Sequence, residues 1–345
     1  MRNAIVSLML LAALSVPVSA VEYTAPPVPD SAAEQMPETE NFADGLVQLL
    51  NRALRHLDTD FHRALNVSAS AFAAVVLVST LQTFSSGLRE VCELAGVASI
   101  ALLFLNGANT MIQLGSQTIL EISEYGKLLL PVMTAAMAAQ GGISSSAALY
   151  TGTAVFSSIL SAALSKLLLP AVYLFLALSI ASGTVGDAVL KNLRDLIKTA
   201  VSWCLKTLLT VFTTYMSITG VISGTTDAAA LKATKVAISS VVPVVGGILS
   251  DASEAVLVSA GLAKNAAGIY GIFAVLALFL LPFLKIGVHY LILKATFALS
   301  AVFGIKSMTD LIGDFATAMG LLLAMTGSTC LMQLISTVCF LKGVG

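Results

Sequence analysis

Residues able to do chemistry are few in this chain, and most stand beside apolar stretches. Three histidines (His56, His62, His289) are scattered, and four cysteines (Cys92, Cys204, Cys330, Cys339) form no CxxC. Neither set has the spacing of a structural zinc site or a disulfide framework. No GxxxxGK[ST] phosphate loop, HExxH helix or GxSxG elbow occurs, so the motifs that position a triphosphate, a catalytic zinc or a nucleophilic serine are missing. The expectation is a protein that is not an enzyme, with no catalytic residue, cofactor or metal site.

Charged residues at membrane depth are the remaining candidates, because burying a charge in hydrocarbon is costly unless it has a role. Lys166, Lys206, Lys285 and Lys294 each stand alone between apolar stretches. Each either lines a polar path or reaches from a helix end to the membrane surface. Lys294 is placed best for a role, since it splits the 20-residue apolar segment from Ile286 to Ile305. His289, five positions earlier, falls on another helical face.

The richest stretch is Gly224 to Gly271. Asp227, Lys232, Lys235, Asp251 and Glu254 flank an apolar segment that Pro243, Gly246 and Gly247 interrupt. Val236 to Ser250 holds only 15 residues, which as regular helix would reach about 22 Å against a hydrocarbon core of about 30 Å. One reading is a re-entrant or broken helix whose freed backbone groups meet solute or water. The other is a tight packing site where small residues let helices approach, and Gly220-Val221-Ile222-Ser223-Gly224 fits that.

The elements that must position these residues follow from composition. Of 345 residues, 57% are hydrophobic and 11% charged, with mean hydropathy +0.93. Soluble domains carry about 25% charged residues, so this chain cannot cover a water-facing surface and reads as an integral membrane protein. Net charge is −1, which offers no basic field for nucleic acid. Residues 1–20 have the form of a signal peptide: Arg2, an apolar core from Ala4 to Leu14, Pro17, then a small-residue site ending at Ala20, with cleavage before Val21. Residues 21–40 form an acidic, proline-rich tether. Residues 41–63 form an amphipathic extracytoplasmic helix, within a periodic stretch reaching Asn66. Asn41 caps it, and Phe42, Leu46, Leu50, Ala53, Leu57, Phe61 and Leu65 share one face. This helix docks on a partner or membrane surface, or packs on the bundle.

Residues 64–345 form the multi-span membrane domain. Ala64–Leu88 and Leu94–Leu120 are uncharged for 25 and 27 residues, enough to span, and form an antiparallel hairpin. Leu128–Ser165 has a Gln140-Gly141-Gly142-Ile143-Ser144-Ser145-Ser146 loop signal at its middle, so it reads as two short crossings or a re-entrant pair. Leu167–Gly186 is a span, followed by a basic loop with Lys191, Arg194, Lys198 and Lys206, placed inside by its charge. Thr207–Thr226, Asn265–Leu284, Ile286–Ile305 and Phe315–Leu341 complete the pattern. The expected fold is all-α: a polytopic transmembrane bundle of about seven to nine helices with re-entrant or broken segments.

Gly224-Thr225-Thr226-Asp227-Ala228-Ala229-Ala230-Leu231-Lys232-Ala233-Thr234-Lys235, then Val242-Pro243-Val244-Val245-Gly246-Gly247-Ile248-Leu249-Ser250-Asp251-Ala252, then Lys264-Asn265-Ala266-Ala267-Gly268-Ile269-Tyr270-Gly271, resemble the stage III sporulation protein AE family. These are polytopic membrane proteins of endospore-forming bacteria. The likeness covers about residue 41 to the end. It implies a subunit of the channel, or feeding tube, joining mother cell and forespore and required for late forespore development. It implies the mother-cell membrane around the forespore as location, with the N-terminal segment extracytoplasmic. Implied partners are a cytoplasmic ATPase and extracytoplasmic ring-forming proteins, besides membrane lipid. A self-contained secondary transporter or permease with broken helices is the alternative. Neighbouring reading frames for an ATPase and small membrane proteins would discriminate the two.

Overall fold

A computed structural model describes residues 26–39, 41–84, 89–139, 143–218 and 266–342. Among the described residues every regular element is a helix, and six helices are long and apolar enough to cross a membrane. The all-α polytopic bundle is therefore as expected. The division of the chain into helices differs in several places.

A short turn of helix, α1 (Asp30–Ala33), precedes α2 (Phe42–Arg55). Asn41 caps α2 by accepting a hydrogen bond from the Ala43 amide at 3.1 Å, and Asp44 lies in the positive first turn. The periodic stretch does not continue as one helix to Asn66. It stops at Arg55, and α3 (Asp58–Phe84) begins with Asp58 and Asp60 in its own first turn. Phe42, Leu49 and Ala53 are buried, whereas Leu50, Leu54, Phe61 and Leu65 are exposed. Phe42 stacks on Phe273, ring centroids 5.4 Å apart, and Gly45 lies beneath the same ring. So α2 packs on the bundle.

The largest departure is α4, 51 residues from Arg89 to Ala139. At about 1.5 Å per residue it is roughly 77 Å long, more than twice the membrane core. It runs through Glu121, Glu124, Lys127 and Pro131, where a turn was expected. Glutamate and lysine are good helix formers, so a charge gap marks a change of surroundings and does not by itself end a helix. The helix ends at Ala139, and Ile143–Ser146, expected as part of a loop cluster, instead begin α5 (Ile143–Ala163), which packs along α4.

No break separates α5 from the next expected span. A π turn, Leu164–Leu168, joins it to α6 (Leu169–Val185). Pro170 follows directly; its missing amide and ring bulk disturb the regular ladder, which the wider turn accommodates. Gly186, with φ of 74°, ends α6 and donates to Ser182 O at 3.0 Å, a left-handed position that favours glycine. The expected basic loop is instead helical: α7 (Ala188–Ile218) includes Lys191, Arg194, Lys198 and Lys206, with Asp187 accepting from the Val189 amide at its start.

Asn265–Leu284 and Ile286–Ile305, expected as two spans, form the single helix α8 (Ala266–Ala301) through Pro282. After a turn at Gly304, α9 (Lys306–Lys342) closes the described fold. It is buried on almost every side, as an apolar helix without a polar face should be. Several of its hydroxyls return to the carbonyls one turn back, as Thr326 to Leu322, Ser328 to Ala324 and Ser336 to Met332 do, which removes their hydrogen-bonding demand from the core.

Register follows from individual contacts. Along α4, Gly96 meets Met308, Phe104 meets Phe315, Gly115 meets Leu322 and Gly126 meets Gln333, so α4 and α9 run parallel. Against them α8 is antiparallel: Ile286 lies at Gly115, Leu129 at Gly271, and Leu341 at Gly268. α3 is antiparallel to α4, with Val78 at Gly96. Asp60, near its start, therefore lies at the level of Lys285 and Gly115, about midway along α4.

Candidate functional site

At that middle level the bundle carries its polar groups. The Asp60 carboxylate and the Lys285 ammonium are 3.0 Å apart, both side chains mostly buried. They tie the first turn of α3 to the middle of α8, just past Pro282. One turn beyond Lys285, His289 Nδ1 lies 3.0 Å from the Lys285 carbonyl oxygen.

Two cavities flank this pair. The first, about 140 Å³, is lined on its polar side by Asp60, Arg63, Asn106, Thr110 and His289, over an apolar floor that includes Phe104. The second, about 150 Å³, is lined by Ser31, Gln35, Gln117, Glu121 and Lys285 among others. In it Glu121 accepts from Ser31 and from Gln117, each at 2.8 Å. Gln35 is buried and its Oε1 has no hydrogen-bond partner among the described residues. A second ionic group lies toward the other end of α9. Arg194 Nη1 donates to Asp314 Oδ2 at 2.6 Å, joining α7 to α9, and also reaches Asp195 at 3.0 Å. Glu93 accepts from Ser307, joining α4 to α9.

Such groups can hold a small polar molecule or close a passage. Lys285, weighed as a snorkelling lysine, is instead paired inside the bundle. Lys166 lies in the π turn and Lys206 on α7, both exposed. Lys294 is exposed too, its ammonium 5.9 Å from the Tyr290 ring centre and 5.7 Å from that of Phe297; the neighbouring Leu293, and not Lys294, lines the first cavity. Asp227, Lys232, Lys235, Pro243, Gly246, Gly247, Asp251 and Glu254 lie outside the described residues, as do Ala20 and Val21.

Sequence reading missed Asp60, Arg63 and Glu121 as site residues. The first two lie off the apolar face by which the amphipathic helix is read, and the third lies between the uncharged stretches Leu94–Leu120 and Leu128–Ser165. Their convergence depends on register between helices distant in sequence, which no spacing reports. Asn106, Thr110, Gln113 and Gln117 did carry a signal, a helical period of amides and hydroxyl within an uncharged stretch.

The family model for stage III sporulation protein AE matches residues 34–343. A Bacillus subtilis (strain 168) stage III sporulation protein AE is 24% identical over 187 residues, 54% of this chain and 47% of that relative. The match thus takes in about half of the relative's length. No solved structure matches. With the family match running from just after α1 through α9, across all six helices of membrane-crossing length among the described residues, the chain is a sporulation-related membrane protein and belongs to the stage III sporulation protein AE family.

Proposed function

We propose that the protein is a non-enzymatic membrane subunit of the channel complex between mother cell and forespore, resident in the mother-cell membrane with its N-terminal segment extracytoplasmic. The observation that carries this reading is the family match across the membrane bundle. The absence from the sequence of a phosphate-binding loop agrees with it, since energy would come from a partner ATPase. α2, docked through Phe42 with Val47, Leu50 and Leu54 still exposed, offers an outer surface for ring-forming extracytoplasmic proteins.

Affinity purification of the tagged chain from sporulating cells tests the reading. Recovery of an ATPase and extracytoplasmic ring proteins together with the chain supports it. A chain recovered alone, and able by itself to move solute into proteoliposomes, would favour the secondary-transporter reading, for which the two cavities at the middle level are the relevant feature.

A further inference from the structure

Between Leu105 and Leu120 on α4, every exposed side chain is an amide or a hydroxyl: Asn106, Asn109, Thr110, Gln113 and Gln117. They recur three or four positions apart, so they form one face, about 17 Å long at 1.5 Å per residue. Neighbouring helices present leucines outward near this level. Asn109 accepts from Tyr173 of α6 at 3.0 Å, and the π turn exposes Leu167, α6 exposes Leu174, α3 exposes Leu65 and α8 exposes Leu291. The level is thus suited to lipid on several flanks, and a row of amides facing hydrocarbon would leave donors and acceptors unmet.

The amide face meets both cavities. Asn106 and Thr110 line the first and Gln117 lines the second. The ion pair lies between, with Asp60 on the first cavity and Lys285 on the second. Buried Gln35 Oε1, without a partner among the described residues, belongs to the second, where a donor inside the cavity would satisfy it.

We propose that this face of α4 lines a water-filled cleft inside the bundle, that the two cavities are successive parts of it, and that the Asp60–Lys285 ion pair is the closure between them. The cleft takes a small hydrophilic solute without net charge, neutral or zwitterionic. Arg63 stands at the first cavity and Glu121 at the second, so an ion of either sign meets a like charge along the way. The amides between them donate and accept alike. The inference rests on the chain crossing a membrane and not on its partners, so it can fail while the channel reading stands.

The test uses full-length protein in native membranes, with Cys92 and Cys204 replaced by serine; Cys330 and Cys339 are buried. Single variants Asn106→Cys, Thr110→Cys, Gln113→Cys and Gln117→Cys are treated with an uncharged, sugar-bearing thiosulfonate that does not cross membranes. Leu65→Cys, Leu174→Cys and Leu291→Cys serve as controls. The α4 positions should label about tenfold faster than the controls. With reagent on one side only, Thr110→Cys and Gln117→Cys should label unequally. The charge-free Asp60→Asn/Lys285→Gln pair should make them equal, while Asp60→Glu/Lys285→Arg keeps the parental pattern. If α4 positions label as slowly as the leucine controls, the cleft is overturned. If all seven positions label alike, the level lies outside the membrane and the cleft is overturned too. If α4 labels but the charge-free pair changes nothing, the ion pair is not the closure.

Discussion

Replacing Asp314 alone should harm the protein more than replacing Asp314 and Arg194 together. Their side chains are 13% and 14% exposed and 2.6 Å apart, inside helices of membrane-crossing length. Removing one partner strands the other charge, which costs about 3–5 kcal/mol, whereas replacing both by apolar residues of similar volume is near neutral. The two single variants should differ. Arg194 keeps Asp195 at 3.0 Å, an exposed partner, so Asp314→Leu belongs at the lower end, about 3 kcal/mol. Arg194→Met leaves the Asp314 carboxylate without its cation and belongs at the upper end, about 5 kcal/mol. At about 2 °C per kcal/mol for a long chain, thermal loss of monodisperse protein in detergent should fall by roughly 6 and 10 °C. The Arg194→Met/Asp314→Leu double variant should stay within about 2 °C of the parent. A double variant as damaged as the worse single one, or single variants with no change, would refute the reasoning.

Further outcomes are open to simpler measurements. Phe42→Ala removes the ring stacked on Phe273 and should weaken α2 docking by about 3 kcal/mol, roughly a hundredfold, read as faster tryptic cleavage at Arg52 and Arg55 in otherwise intact protein. Gly152→Val places a carbon 2.1 Å from the Tyr215 ring, which also donates to Ala148 O; it should cost about 1–3 kcal/mol in the same thermal assay. Gly107→Ala meets nothing within 4 Å and should be neutral or stabilise by about 0.5–1 kcal/mol. With the N-terminal segment outside, Arg55→Cys should label with an impermeant thiol reagent on intact cells and Lys198→Cys should not; the reverse pattern inverts the proposed topology.

Composition and the uncharged stretches were enough to read the helical membrane bundle, and Asn41 was legible as a cap because that interaction is local. Helix lengths were not. Glu121, Lys166 and the lysines of α7 each looked like punctuation between spans, yet the backbone ladder continues through them, interrupted only by the π turn next to Pro170. The candidate site was legible only in pieces. Lys285 stood out by its position, but its partner Asp60 comes from another helix, and Arg194 meets Asp314 from 120 residues away. Pairings of that kind are set by helix register, which depends on how Gly96, Gly115 and Gly126 pack on α9 and not on any motif.

The most direct measurement of the central claim is compartment-specific complementation. In a host deleted for this chain, a late forespore reporter should fall silent after engulfment is complete. A copy expressed only in the mother cell should restore it, and a copy expressed only in the forespore should not. Full late forespore expression without the chain, or rescue from the forespore alone, would contradict a mother-cell subunit of the channel.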